Sequence, residues 1–157
     1  MSILPIFIPH AGCPHQCVFC NQKTISGQKL AAVAAAKEQL MRWRSWLRPS
    51  AANEAAFYGG SFTGLPLELQ EELLALTDAL LAEGFIGSVR LSTRPDYIDE
   101  ERLQLLQRHG VRLVELGVQS LDDRVLAAAE RGHTAAQVAP AVALLKRFGF
   151  QVGLQLM

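Results

Sequence analysis

Short apolar runs of strand length alternate with longer segments whose apolar residues recur every three or four positions. Ile3–Ile8 is such a run, closed by Pro9, and reads as a strand. Lys29–Leu47 carries Leu30, Val33, Lys37, Leu40, Met41, Arg44 and Leu47 at helical spacing, and Pro49 stops it. Ala55–Tyr58 is a second strand ending in Gly59-Gly60. Pro66 opens a helix through Glu83, with Leu69, Leu73, Leu76 and Leu80 on its buried face and Gly84 beyond its end. Val89–Leu91 is a third strand, and Asp99 is placed to cap a helix that runs to His109 and ends at Gly110. Val111–Val118 is a fourth strand. Ser120-Leu121-Asp122-Asp123 after it has the form of a capping box. Thr134–Gln137 is a second box, opening a helix that Pro140 should kink and Gly149 should end. Phe150–Met157 begins a fifth strand.

Strands alternating with helices of this length imply parallel pairing through right-handed crossovers. The fold class predicted is α/β, a partial parallel (βα) barrel of about five βα units. Residues 1–157 then form the front part of one core domain, because a closed parallel barrel needs more strands. A complete five-stranded open sheet is the alternative.

Composition narrows the function classes. Half the residues are hydrophobic and 19% are charged, as in a globular chain. Fifteen basic residues balance fifteen acidic ones, so no bulk charge draws the chain to nucleic acid or an anionic membrane. The cluster Arg42, Arg44, Arg48 reads as the wet face of a helix. The N-terminus has neither the basic region of a signal peptide nor an apolar run of spanning length. A cytoplasmic protein without membrane contact is expected.

All three cysteines fall in Gly12-Cys13-Pro14-His15-Gln16-Cys17-Val18-Phe19-Cys20, just after the first strand. An odd, tightly clustered set makes a poor disulfide framework and reads as a metal or redox site. Thiolates are soft ligands that favour iron–sulfur clusters or zinc. An ordinary [4Fe–4S] cluster takes four cysteines, so three leave one iron for something other than protein. His10 or His15 completing a zinc site, or a redox pair at Cys17 and Cys20, remain open on spacing alone.

Other polar residues fall where the strands end. Gly59-Gly60-Ser61 lets the backbone approach a ligand closely, or simply makes a tight turn. Ser92-Thr93-Arg94-Pro95-Asp96 follows the third strand, at the end where α/β folds place ligands, or forms a turn fixed by Pro95. Alternation puts Glu115, Gly117 and Gln119 on one face of the fourth strand and Gln151, Gly153 and Gln155 on one face of the fifth. Parallel strands are normally apolar on both faces, so these suggest a polar barrel interior with room for a ligand. Glu115 paired with an arginine and Gln119 capping a helix is the plainer reading. Arg131 reads either as a binding residue or as an exposed helix-terminal arginine, and His133 as a loop residue.

Cys13-x-x-x-Cys17-x-x-Cys20, with Phe19 before the last cysteine, resembles the signature of the radical S-adenosylmethionine enzymes. Phe7-Ile8-Pro9-His10-Ala11-Gly12-Cys13 and the following Asn21-Gln22 are similar to the branch containing the catalytic subunit of Elongator. The oxygen-independent coproporphyrinogen oxidases, and haem chaperones like them, resemble it more distantly. The resemblance implies a barrel of radical SAM type, a [4Fe–4S] cluster on Cys13, Cys17 and Cys20, and S-adenosyl-L-methionine on the open iron. It implies reductive cleavage to methionine and a 5′-deoxyadenosyl radical that abstracts hydrogen from a substrate. It places Phe19, Gly59, Gly60, Ser61, Ser92, Gln119, Arg131 and Gln155 around S-adenosylmethionine. Within that set the glycine pair would accept from the methionine ammonium, Ser92 or Thr93 would lie near the ribose, and Arg131 would bind the carboxylate. It further implies an electron donor such as flavodoxin or ferredoxin, and a substrate that is a tRNA or a small molecule. A non-catalytic iron–sulfur or zinc module is the reading from another class.

Overall fold

The computed structural model describes residues 2–8, 12–13, 15–20 and 29–157. His10, Pro14 and Asn21-Gln22, which the cysteine motif includes, lie outside the described residues. The elements are β1 (Ile3–Phe7), α1 (Lys29–Trp46), β2 (Glu54–Tyr58), α2 (Leu67–Ala82), β3 (Ser88–Thr93), α3 (Glu100–Arg108), β4 (Val111–Gln119), α4 (Asp123–Ala128), α5 (Val138–Arg147) and β5 (Gln151–Leu156). The five strands form one sheet in the order β1-β2-β3-β4-β5, every neighbouring pair parallel. Spatial order equal to chain order is what a run of same-handed crossovers produces in a barrel. The chain is thus an α/β partial barrel.

The two faces of the sheet differ as the alternation predicts. Leu4, Ile6, Ala55, Phe57, Val89, Leu91, Val114 and Leu116 are buried in one apolar core with Leu73 and Leu74 of α2, Leu103 and Leu106 of α3 and Leu145 of α5. Burial of this kind stabilises by about 25 cal/mol per Å² of apolar surface and drives the fold. The register sets Ala56 beside Arg90, Ser92 beside Glu115 and Gly117 beside Gln155, so the opposite face is the polar one.

Asp99 caps α3 as expected, accepting from the Arg102 N–H at 2.9 Å. Two local expectations need correction. Asp122, not Ser120, caps α4; its side chain accepts from the Arg124 N–H at 2.8 Å, and the Ser120 hydroxyl accepts from the Asp122 N–H. Pro140 does not break α5, because it lies in the helix's first turn, where an N–H has no intrahelical acceptor. The buried stripe of α1 runs through Ala36, Leu40 and Trp43, while Met41 is exposed and Arg44 pairs outward with Glu83. The Trp43 indole donates to the Pro5 carbonyl at 2.9 Å, and Gln39 accepts from the Phe7 N–H and donates to its carbonyl. These two side chains thus serve backbone groups of the edge strand β1. No helix among the described residues is long and apolar enough to cross a membrane.

Candidate functional site

The C-terminal ends of the strands surround a cavity of about 320 Å³, within the range of small-molecule sites. Cys13, Cys17, Cys20 and Phe19 from the loop after β1 form one wall. Gly59, Gly60 and Ser61 after β2, Ser92 on β3, Gln119 on β4, Arg131 after α4 and Gln155 on β5 complete it. The residues that the resemblance assigns to the cluster and to S-adenosylmethionine therefore border one cavity, whereas Glu115, Gln151, Gly153, Asp96 and His133 do not line it. Tyr58, Thr93, Arg94 and Gly117 also line it.

The loops adopt these positions for local reasons. Gly59 has φ +100°, and a Cβ there would meet the Ile8 carbonyl and the Phe7 ring at 2.7 Å. Only glycine lets the β2 loop pass so close to the end of β1. Ser61 is buried, and its hydroxyl bonds that of Thr93 at 3.0 Å; Thr63 bonds the same oxygen through its hydroxyl and its N–H. The Thr93 hydroxyl is thus used in joining the β2 and β3 loops. Of the two hydroxyls expected near a ribose, only that of Ser92 turns to the polar face, where it donates to Glu115 at 3.4 Å. Gln119 ends β4 with φ +68°, a left-handed conformation that a glutamine holds only where its surroundings impose it.

Glu115 meets an arginine, the plainer of the two readings. Arg90 donates to it at 2.7 Å and to Glu54 at 3.2 Å, and Ser88 donates to Glu54 at 3.0 Å. The polar interior is also real, because this network lies on the face that carries the cavity. Burial, then the Glu115 carboxylate beside it, push the Tyr58 phenol above its ordinary value.

Arg131 is buried at 8% exposure, not an exposed helix-end arginine. Its Nη2 donates to the Gly117 carbonyl at 2.6 Å and its Nη1 to the Cys17 sulfur at 3.5 Å. A Cβ on Gly117 would stand 2.7 Å from that Nη2, so the glycine inside β4 is the space the guanidinium occupies. Arg94 is 2% exposed, grips Asp96 through two hydrogen bonds of 2.9 and 2.8 Å, and donates to the Arg131 carbonyl at 2.7 Å. Burial would raise the Asp96 carboxyl, but the Arg94 hydrogen bonds and charge outweigh it and hold the group below the usual carboxylate range. His133 is a loop residue, as expected, yet buried at 4%. Among the described residues its ring nitrogens have no well-formed hydrogen bond, although the Val118 backbone lies near enough to act on the ring. Burial, then the Arg131 and Arg94 charges, push its imidazole down.

The cysteines are suited to a metal cluster. Burial pushes the Cys13 thiol up, opposed by the Ser61 backbone N–H and by the charges of Arg94 and Arg131. Among the described residues no three His, Cys, Asp or Glu side chains converge as for a single ion. Three thiols around one cavity, with two guanidinium groups behind them, instead fit a larger anionic group carrying several metal atoms.

The Radical SAM superfamily profile matches residues 7–157. The chain is 30% identical over 117 residues to Elongator complex protein 3 of Saccharomyces cerevisiae, covering 63% of this chain and 21% of that protein. It is 42% identical over 62 residues to the tRNA uridine(34) acetyltransferase of Dehalococcoides mccartyi, covering 40% of this chain and 14% of the relative. The coproporphyrinogen III oxidase of Escherichia coli, a radical SAM enzyme, superposes with a TM-score of 0.71 at 20% identity, covering 99% of this chain and 36% of that one. The last likeness is one of fold. The chain spans less than half the length of these relatives.

Proposed function

The chain belongs to the radical SAM superfamily, whose members use a [4Fe–4S] cluster and S-adenosylmethionine, and from that premise we propose that it carries the cofactor half of such an enzyme. Cys13, Cys17 and Cys20 are the cluster ligands in this reading, and the absent fourth cysteine leaves one iron to S-adenosylmethionine. When bound, the group supplies one electron that cleaves S-adenosylmethionine to methionine and a 5′-deoxyadenosyl radical for hydrogen abstraction. The single observation that carries the reading is the meeting of the three cysteines, the glycine pair, Gln119, Arg131 and Gln155 on one cavity.

The side chains then divide the work. The Gly59 and Gly60 carbonyls accept from the methionine ammonium. Arg131 has five N–H groups and spends two on Gly117 and Cys17, leaving donors for the methionine carboxylate. Ser92, Gln119 and Gln155 hold the nucleoside, and Phe19 shields the cluster side from water. A flavodoxin or ferredoxin supplies the electron. Two relatives are named for Elongator and for tRNA uridine(34), which favours tRNA as the substrate class over a porphyrin.

Anaerobic reconstitution with iron and sulfide, reduction, and addition of S-adenosylmethionine test the proposal. A brown protein that releases 5′-deoxyadenosine is expected, and Cys17→Ala should lose both colour and product. A brown protein releasing none overturns the cleavage reading. A colourless protein holding one zinc ion overturns the cluster as well.

A further inference from the structure

The cysteine loop is fastened to the segment between α4 and α5, and the contacts centre on Cys17. The Val18 N–H donates to the Ala129 carbonyl at 3.2 Å. The His15 ring lies so close to Gly132 that a Cβ there would overlap it. Between these two contacts the Arg131 guanidinium bridges the Gly117 carbonyl and the Cys17 sulfur, with Cys17 at 4% exposure. Among the described residues no carboxylate pairs with Arg131. Both groups are buried, so its charge bears on the sulfur with little screening. Arg131 is itself held from behind, since Arg94, locked to Asp96, donates to its carbonyl.

We propose that Arg131 is a positioning residue that sets the cluster's reduction potential through its hydrogen bond to Cys17, with Arg94 fixing it in place. The proposal rests on Cys17 being a cluster ligand. An N–H donated by a cation draws electron density from the thiolate and favours the state with one more electron. Net charge, hydrogen bonds to sulfur and solvent exposure are the protein's means of tuning such clusters. This role is separate from any contact with the methionine carboxylate, because it acts before S-adenosylmethionine binds.

The test is EPR-monitored redox titration of the reconstituted chain without S-adenosylmethionine, in wild type, Arg131→Met, Arg131→Lys and Arg94→Lys. Arg131→Met should hold the same iron and sulfide per chain at a more negative midpoint. Arg131→Lys should fall between it and wild type, since an ammonium keeps the charge but not the bridging fork. Arg94→Lys should move the midpoint the same way by a smaller amount. If Arg131→Met does not fold, by circular dichroism, the Arg131→Lys midpoint decides in its place. A fully loaded variant with the wild-type midpoint overturns this inference and leaves the cysteine assignment standing. A wild-type chain that takes up no iron and sulfide overturns both.

Discussion

Arg90 on β3 donates to Glu115 on β4 at 2.7 Å across the polar face of the sheet. Through Glu115 the pair reaches Tyr58 and Ser92, which wall the cavity, so an ion pair inside the barrel also arranges the site above it. Glu54 is the second acid on the same guanidinium. Removing one acid leaves the cation partly paired, and the consequence should be graded.

Glu115→Gln should destabilise the chain by about 2 kcal/mol, less than the loss of a sole partner to a buried charge. Urea midpoints measure it. The Tyr58 phenol should also titrate at lower pH in the variant, because one of the groups pushing it up is gone. Phenolate absorbance in a Tyr97→Phe background reads this directly. An unchanged Tyr58 titration would show that burial alone governs it.

Much of this was legible in the sequence because it depends on local order. Period-two alternation identified the polar faces of β4 and β5, and the cysteine spacing identified one wall of the cavity. Partners were not legible, since alternation says which face a side chain takes but not what lies across the sheet. Glu115 needed some arginine, and only the β3–β4 register selects Arg90. Thr93 looked equivalent to Ser92, yet one residue of alternation turns its hydroxyl toward Ser61 and Thr63. Trp43 was hidden for another reason: its indole finds its acceptor on Pro5 of β1, far away in the chain. The burial of Arg131 depends on space left by Gly117, which no motif announces.

The Asp96–Arg94 pair should give a pH dependence on the acid side. The Asp96 carboxyl is held below its ordinary value, so its stabilising effect is complete above the unfolded value of about 3.9. It is lost as the pH falls through the lower folded value. Asp96→Asn strips a buried guanidinium of the only carboxylate that pairs with it among the described residues and should cost about 3 kcal/mol at neutral pH. The gap between variant and wild type should narrow below about pH 4. Urea midpoints at neutral and acid pH check this, and a constant gap would contradict it.

His133 should act in the same direction, in a higher pH range. Its imidazole is pushed down in the fold, so the unfolded chain binds the extra proton first and stability falls as the pH drops below about 6.5. His133→Gln should remove that part of the slope while leaving the neutral-pH stability within about 1 kcal/mol. NMR titration of the ring protons should place His133 below an ordinary imidazole. A normal titration, or an unaltered slope in the variant, would refute this account.

Gly117→Ala separates folding from site geometry. The added Cβ would stand 2.7 Å from the Arg131 Nη2 and 3.2 Å from the Gln119 Nε2. Both are tips of flexible side chains and can move without shifting backbone. The fold should therefore persist, with a urea midpoint within about 1 kcal/mol of wild type. The Arg131 guanidinium, however, must leave the Gly117 carbonyl, and the Gln119 amide must turn away. Losing one charge-assisted hydrogen bond to a ligand costs about 1.5–3 kcal/mol, so affinity of the reconstituted protein for S-adenosylmethionine should fall about tenfold or more. Equilibrium dialysis with labelled S-adenosylmethionine measures it. Wild-type affinity in a folded Gly117→Ala chain would mean that Arg131 and Gln119 do not touch the cofactor.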